Sequence, residues 1–268
     1  MTGPEWLAPE SLEEALALKA GWGEDATVVA GGTFVGLLLN QRLLAPAALL
    51  SLRDVPGLGA IGVEGGQLRL GALVTHRAVE RSAVVRDGWP ALAGTFRLVA
   101  SPRVRNQATV GGVLADADHA SDPPSTFTAL GASCVVRSVR GERVVPVSEL
   151  ITGFYATSLA PDELVVEVRV PGGPHRAVYR KFRSRSHEDR PCVGVAACRR
   201  DGELRVVVGA VAERPQWFPE LCDPAAAPAE IARAYAAAID PISDVSGSSA
   251  YRKRVIEVEV RRALEALS

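Results

Sequence analysis

The sequence predicts an α+β chain in three consecutive parts. Two hairpin signatures, Glu64-Gly65-Gly66 and Asp201-Gly202, require antiparallel strands. Helical segments flank these strands, and two follow in succession at the C-terminal end. Clusters of Gly and Pro near residue 57 and at 172–175 divide the chain. The parts expected are 1–57, 58–172 and 173–268.

In the first part, Ser11 and Glu14 stand at capping-box spacing and open a helix that Gly21 and Gly23 end. "ATVVA" at 26–30 reads as a buried strand running into Gly31-Gly32-Thr33. "FVGLLLNQRLL" reads as a short helix stopped by Pro46, and "AALLSLRDV" as a second strand. A strand, a Gly-Gly turn and a helix in that order place backbone N–H groups where anions are often held. The same residues suit a tight connection that needs small side chains.

The second part opens with the hairpin "AIGVE"/"QLRLGAL". Thr75 then caps a short helix, and "WPALAGTFRLVAS" carries Pro90 in the first turn of another. "PRVRNQATV" is expected to run extended into Gly111-Gly112, with Arg103 and Arg105 on the approach to an anion or simply solvated. "STFTALGASCVVRSV" gives a helical turn and a strand, and "SELITGFYATSL" is mostly loop with a short helix. "DELVVEVRVP" is a strand ended by Pro171. In the third part a strand, a polar loop and a second strand lead through Asp201-Gly202 into "ELRVVVGAVAE". Two helices close it, the last with Val255, Val258, Leu264 and Leu267 among its apolar positions. A three-stranded sheet backed by two helices is expected.

Composition narrows the function. With 268 residues there is length for a large core. A net charge of −1 gives no electrostatic reason to bind nucleic acid or an anionic membrane. No apolar run has spanning length, and the N-terminus lacks a secretory pattern, so a cytoplasmic protein is expected. Cys134, Cys192, Cys198 and Cys222 form no C-x-x-C pair, which argues against a zinc or iron–sulfur site.

"VVAGGTFVGLL" at 28–38 and "ATVGGVLADADHASDPP" at 108–124 are both apolar runs broken by Gly-Gly beside a Thr. Two backbone concavities suit a ligand with two phosphates. These motifs, followed in order by "DELVVEVRVP", "YRKFRSR" and "SGSSAYRKRVIEVEVRRAL", resemble the FAD-binding medium subunit of the xanthine dehydrogenase and carbon monoxide dehydrogenase family of molybdenum hydroxylases. The resemblance spans essentially the whole chain. It implies a two-subdomain PCMH-type FAD-binding fold followed by a C-terminal domain of a small antiparallel sheet and helices.

The resemblance also implies that the FAD diphosphate lies between the two Gly-Gly motifs. The implied contacts come from Val29, Ala30, Gly31, Gly32, Thr33, Phe34 and Val35, from Val99, and from Thr109, Gly111, Gly112 and Val113. Asp122 matches an acidic position facing ribose or ribityl hydroxyls. Asp118 either shares that role or is a solvated loop charge. Val165 and Lys181 fall in segments that approach the isoalloxazine, where Lys181 would favour the anionic reduced ring. A charge on a strand edge is the plainer reading of Lys181. Phe34, Val113 and His119 depart from the family pattern, at positions usually held by polar residues or, for His119, by Pro. These departures remove side-chain hydrogen bonds but no backbone donors.

The implied function is electron transfer. A large subunit carrying molybdopterin would oxidise the substrate, and a small subunit with [2Fe–2S] clusters would relay electrons. The flavin would pass them to an acceptor such as NAD, oxygen or a quinone. Flavin chemistry needs no protein nucleophile, so no catalytic residue is nominated. A free-standing FAD-dependent reductase or oxidase, and a scaffold subunit that has lost flavin, are the alternatives.

Overall fold

A computed structural model describes residues 3–184, 186 and 188–267. Arg185 and His187, which belong to the polar loop and in part to the "YRKFRSR" motif, lie outside the described residues. In the first part, β1 (Glu5–Leu7), β2 (Ala26–Val29) and β3 (Ala48–Ser51) form a parallel sheet in the order β1-β3-β2. Helix α1 (Leu12–Trp22) begins as its sequence requires: Ser11 Oγ accepts from Glu14 N at 3.1 Å, and Glu14 Oε2 accepts from Glu10 N at 2.8 Å. Gly23 caps its end, while Gly21 lies inside the helix. The short helix α2 (Val35–Asn40) follows the first Gly-Gly motif.

The second part is built on a five-stranded sheet. Hairpin strands β4 (Ile61–Glu64) and β5 (Gln67–Gly71) lead into helices α3 (His76–Arg81), α4 (Ala83–Gly88) and α5 (Pro90–Arg97). Three further helices follow: α6 (Pro102–Arg105), α7 (Val110–Ala115) and α8 (Pro123–Ala129). Next come β6 (Ser133–Ser138), β7 (Gly141–Pro146), α9 (Val147–Leu150), the small hairpin β8 (Ile151–Gly153)/β9 (Ala156–Thr157), and β10 (Leu164–Val170). The sheet order is β4-β5-β10-β6-β7, so β10 returns to the middle and pairs antiparallel with both β5 and β6. Central placement buries Leu164, Val165, Val166, Val168 and Val170, while Glu167 and Arg169 share the other face as an ion pair.

In the third part β11 (His175–Phe182), β12 (Val193–Arg200), β13 (Glu203–Gly209) and β14 (Gln216–Trp217) form an antiparallel sheet. The two-residue β14 adds a fourth strand to the three expected. Helices α10 (Pro228–Ala238) and α11 (Ser249–Glu265) cover one face. Val255, Ile256, Val260, Leu264 and Leu267 point into that core, whereas Val258 is exposed. The opposite face lies on the second part: Ala196, Cys198 and Val207 join the core formed by Leu92, Phe96 and Phe127.

The structure corrects the reading of residues 102–110. This stretch is not extended. Ser101 caps α6, with Pro102 at its first position. Thr109 caps α7, its Oγ1 accepting from Gly112 N at 3.1 Å. The central Gly-Gly therefore sits inside the first turn of a helix. Glycine disfavours a helix when judged locally, but the cap and the packing partner prevail.

Candidate functional site

The three parts enclose a cleft of about 630 Å³, a size suited to a large organic ligand. One wall is the turn from Ala30 to Val35. A second is α7 with the loop to Asp122. Val165, at the start of β10, and Lys181, on β11, complete it. Every residue of the implied contact set lines this space except Val29, which ends β2 and packs beneath Gly32.

The two Gly-Gly motifs differ in kind. Among the described residues, the backbone N–H groups of Gly31, Gly32, Thr33 and Phe34 donate no hydrogen bond within the protein. Free N–H groups in such a turn are the donors an anion would need. Gly31 is forced by close approach, because a Cβ there would run into the backbone carbonyl of Gln107.

The N–H groups of the second motif are already engaged. Val110 N donates to Val74 O at 2.9 Å, Gly111 N to Ala72 O at 2.8 Å, and Gly112 N to Thr109 Oγ1. Gly111 is needed because a Cβ would sit 2.6 Å from that of Ala72. The second motif thus supplies a smooth wall of small residues, and the Thr109 hydroxyl, which accepts from Gly112, keeps its own proton to donate.

The polar end is organised by Asp122. Its Oδ1 accepts from Tyr179 OH at 2.6 Å, and its Oδ2 accepts from Lys181 Nζ at 2.8 Å. Lys181 Nζ also donates to Leu98 O at 3.0 Å. Both charged side chains are almost fully buried, so Lys181, although on the edge strand β11, is not a solvated charge. Burial pushes Asp122 up and Lys181 down, and their mutual attraction opposes both shifts. Each Asp122 oxygen retains a lone pair for a ligand hydroxyl.

Asp118 is buried rather than solvated. It pairs with Arg190 at 2.7 Å and accepts from Ala120 N at 3.1 Å. Arg105 does not face an anion. It is buried, pairs with Glu80 at 3.0 Å, and donates at 2.8 Å to the carbonyls of Val99 and Ala100. It clamps the turn in which Ala100 takes a φ of 39°.

Sequence reasoning missed Tyr155, Ala100 and Asp116, which also line the cleft. The Tyr155 ring stacks on Phe34, with centroids 5.7 Å apart and planes 12° apart. Phe34 thus replaces a polar contact with an aromatic one. The spacing of Phe34 and Tyr155 carries no sign of this pairing.

His76 borders the same wall. Its Nε2 lies 3.2 Å from Thr109 O and its ring meets Phe96 edge-on at 4.8 Å. Burial lowers its pKa to about 4. A folded value below the unfolded 6.5 gives stability that is fully present above pH 6.5 and lost as pH falls toward 4. The loss should reach about 3 kcal/mol. Urea unfolding of the wild type and His76→Phe across that window checks this, since the variant should show a shallower decline.

Comparison with known proteins gives a consistent result. The profile for the FAD binding domain in molybdopterin dehydrogenase matches residues 2–173. The 6-hydroxypseudooxynicotine dehydrogenase complex subunit alpha of Paenarthrobacter nicotinovorans is 35% identical, over 97% of this chain and 93% of that one. The carbon monoxide dehydrogenase medium chain of Afipia carboxidovorans is 30% identical, over 97% and 95%. In the crystal structure of carbon monoxide dehydrogenase from Hydrogenophaga pseudoflava, a chain 30% identical superposes with a TM-score of 0.94, over 99% of this chain and 97% of that one.

Proposed function

The chain belongs to the FAD-binding medium subunits of the molybdenum hydroxylases, the xanthine and carbon monoxide dehydrogenase family, and from that premise we infer that it is the electron-transfer subunit of such a complex. The observation that carries the reading is the set of free N–H donors at Gly31–Phe34, which line the same cleft as Thr109. Those groups fit a diphosphate. The Asp122–Lys181 pair suits the polar, hydroxyl-bearing and redox-active end of FAD.

When bound, FAD supplies storage of two electrons and their release singly or in pairs. The protein's own groups hold and tune it. Lys181 brings a positive charge into a site screened from water, where it favours negative charge on the ring. Phe34, Val113 and Val165 exclude water from the cleft walls.

The partners we propose are a molybdopterin-containing large subunit and a small subunit with [2Fe–2S] clusters, with NAD, oxygen or a quinone as acceptor. All four cysteines here are buried and free, which supports placing the clusters in another chain. Free thiols also suit the reducing cytoplasm. No helix among the described residues is long and apolar enough to cross a membrane.

The chain should purify yellow with about one FAD, and with molybdenum and iron when co-expressed with its genomic neighbours. A colourless chain that takes up no FAD on titration would overturn the reading. Turnover of NAD(P)H by the chain alone would favour a free-standing reductase.

A further inference from the structure

Three aspartates stand close together in the loop after α7, and two of them have cations. Asp118 has Arg190, and Asp122 has Lys181. Asp116, at the C-terminal cap of α7, lines the cleft and its carboxyl has no hydrogen bond or ion pair among the described residues. We propose that FAD enters this cleft together with one proton, which the Asp116 carboxyl takes up. The inference rests on the FAD reading above and adds a chemical role that this reading does not contain.

The argument is electrostatic. A diphosphate carries two negative charges at neutral pH, and it would join a half-buried carboxylate that has no counter-ion among the described residues. Like charges in such a place raise the affinity of the acid for its proton. Burial, and after it the charge on Asp118, already push Asp116 up to about 7. The bound diphosphate drives it higher. Once protonated, the carboxyl becomes a hydrogen-bond donor and suits an oxygen-rich ligand.

The other charged and titratable groups on the cleft walls do not replace it. On its own loop, Asp118 repels Asp116, and burial lowers the pKa of His119. From β11, Lys181 is committed to Asp122 and Leu98 O. Arg190, in the polar loop with Glu188 and Asp189, is committed to Asp118. Glu163, ahead of β10, is held by Arg143. Lys19, from α1, donates to the carbonyls of Gly23 and Ala26, and His76 is neutral.

The test is calorimetric titration of the full-length chain, stripped of flavin, with FAD. It is run at about pH 8 in two buffers of different ionisation enthalpy. The wild type should take up close to one proton per FAD, and its Kd should rise by up to about tenfold per pH unit above neutrality. Asp116→Asn, which mimics the neutral acid, should bind FAD with no pH dependence and no proton uptake. FAD binding by the wild type without proton uptake overturns the proposal and leaves the FAD reading standing. Uptake that persists in the Asn variant also overturns it, because the proton then resides elsewhere. No binding at any pH removes both.

Discussion

Gly31→Ala is expected to strip the chain of its flavin. The new Cβ would meet the backbone carbonyl of Gln107, with the carbonyl carbon at 2.6 Å and Ala108 Cα at 3.2 Å. These are main-chain atoms, so no side-chain rotation relieves the clash. Either the turn 31–34 or the segment 107–109 must move, by roughly 1 Å. The first carries the free donors and the second carries Thr109, so the geometry of the anion site changes in either case. A displacement of this size typically costs about two orders of magnitude where groups must be held in register. FAD titration should show a Kd raised about a hundredfold and substoichiometric flavin after purification. Gly36→Ala is the matched control: it lies in α2, and a Cβ there meets nothing within 4 Å. Its flavin content should be unchanged. Full flavin in Gly31→Ala would show that the tight junction between the two motifs is not what shapes the site.

Lys181→Met is expected to destabilise the fold itself. Removing the ammonium leaves Asp122 almost fully buried, with Tyr179 as its remaining donor. Losing one partner of a buried pair costs about 3–5 kcal/mol, because the other charge stays desolvated. Asp122 limits the loss by taking a proton, which places the expected value near the lower end, about 3 kcal/mol. That corresponds to a fall in Tm of roughly 6–12 °C. The double variant Lys181→Met, Asp122→Asn should recover much of the loss, since the unpaired charge is gone. Recovery of stability without recovery of flavin affinity would separate the structural part of the pair from its part in binding. A double variant no more stable than the single one would contradict the buried-charge account.

Much of the fold was legible because its signals are local. Ser11 and Glu14, Thr75, and the two Gly-containing hairpin turns each specify their element within four residues. The misses share a different cause. β1 is three residues, "EWL", and becomes a strand only by pairing with β3, more than forty residues later. The segment 102–110 reads as extended, yet Pro102–Arg105 is a helix and Thr109 caps another that packs on Ala72. The order of motifs named residues that line one cleft, but not their states. Burial of Lys181 depends on Asp122, on another part of the chain, and Asp116 stands out only once its neighbours are seen to be paired.

The cleft has walls from residues near 31, 110 and 181, joined by contacts of high sequence separation. Such contacts form late, because the loops between them must close first. A site built from such contacts is complete only in the folded chain, and FAD bound there would draw the equilibrium toward that state as RT ln(1 + [FAD]/Kd). At a hundredfold excess over Kd this amounts to about 2.7 kcal/mol. Cofactor supply during synthesis would then set how much of the chain survives, so flavin shortage is expected to appear first as low abundance rather than as low activity.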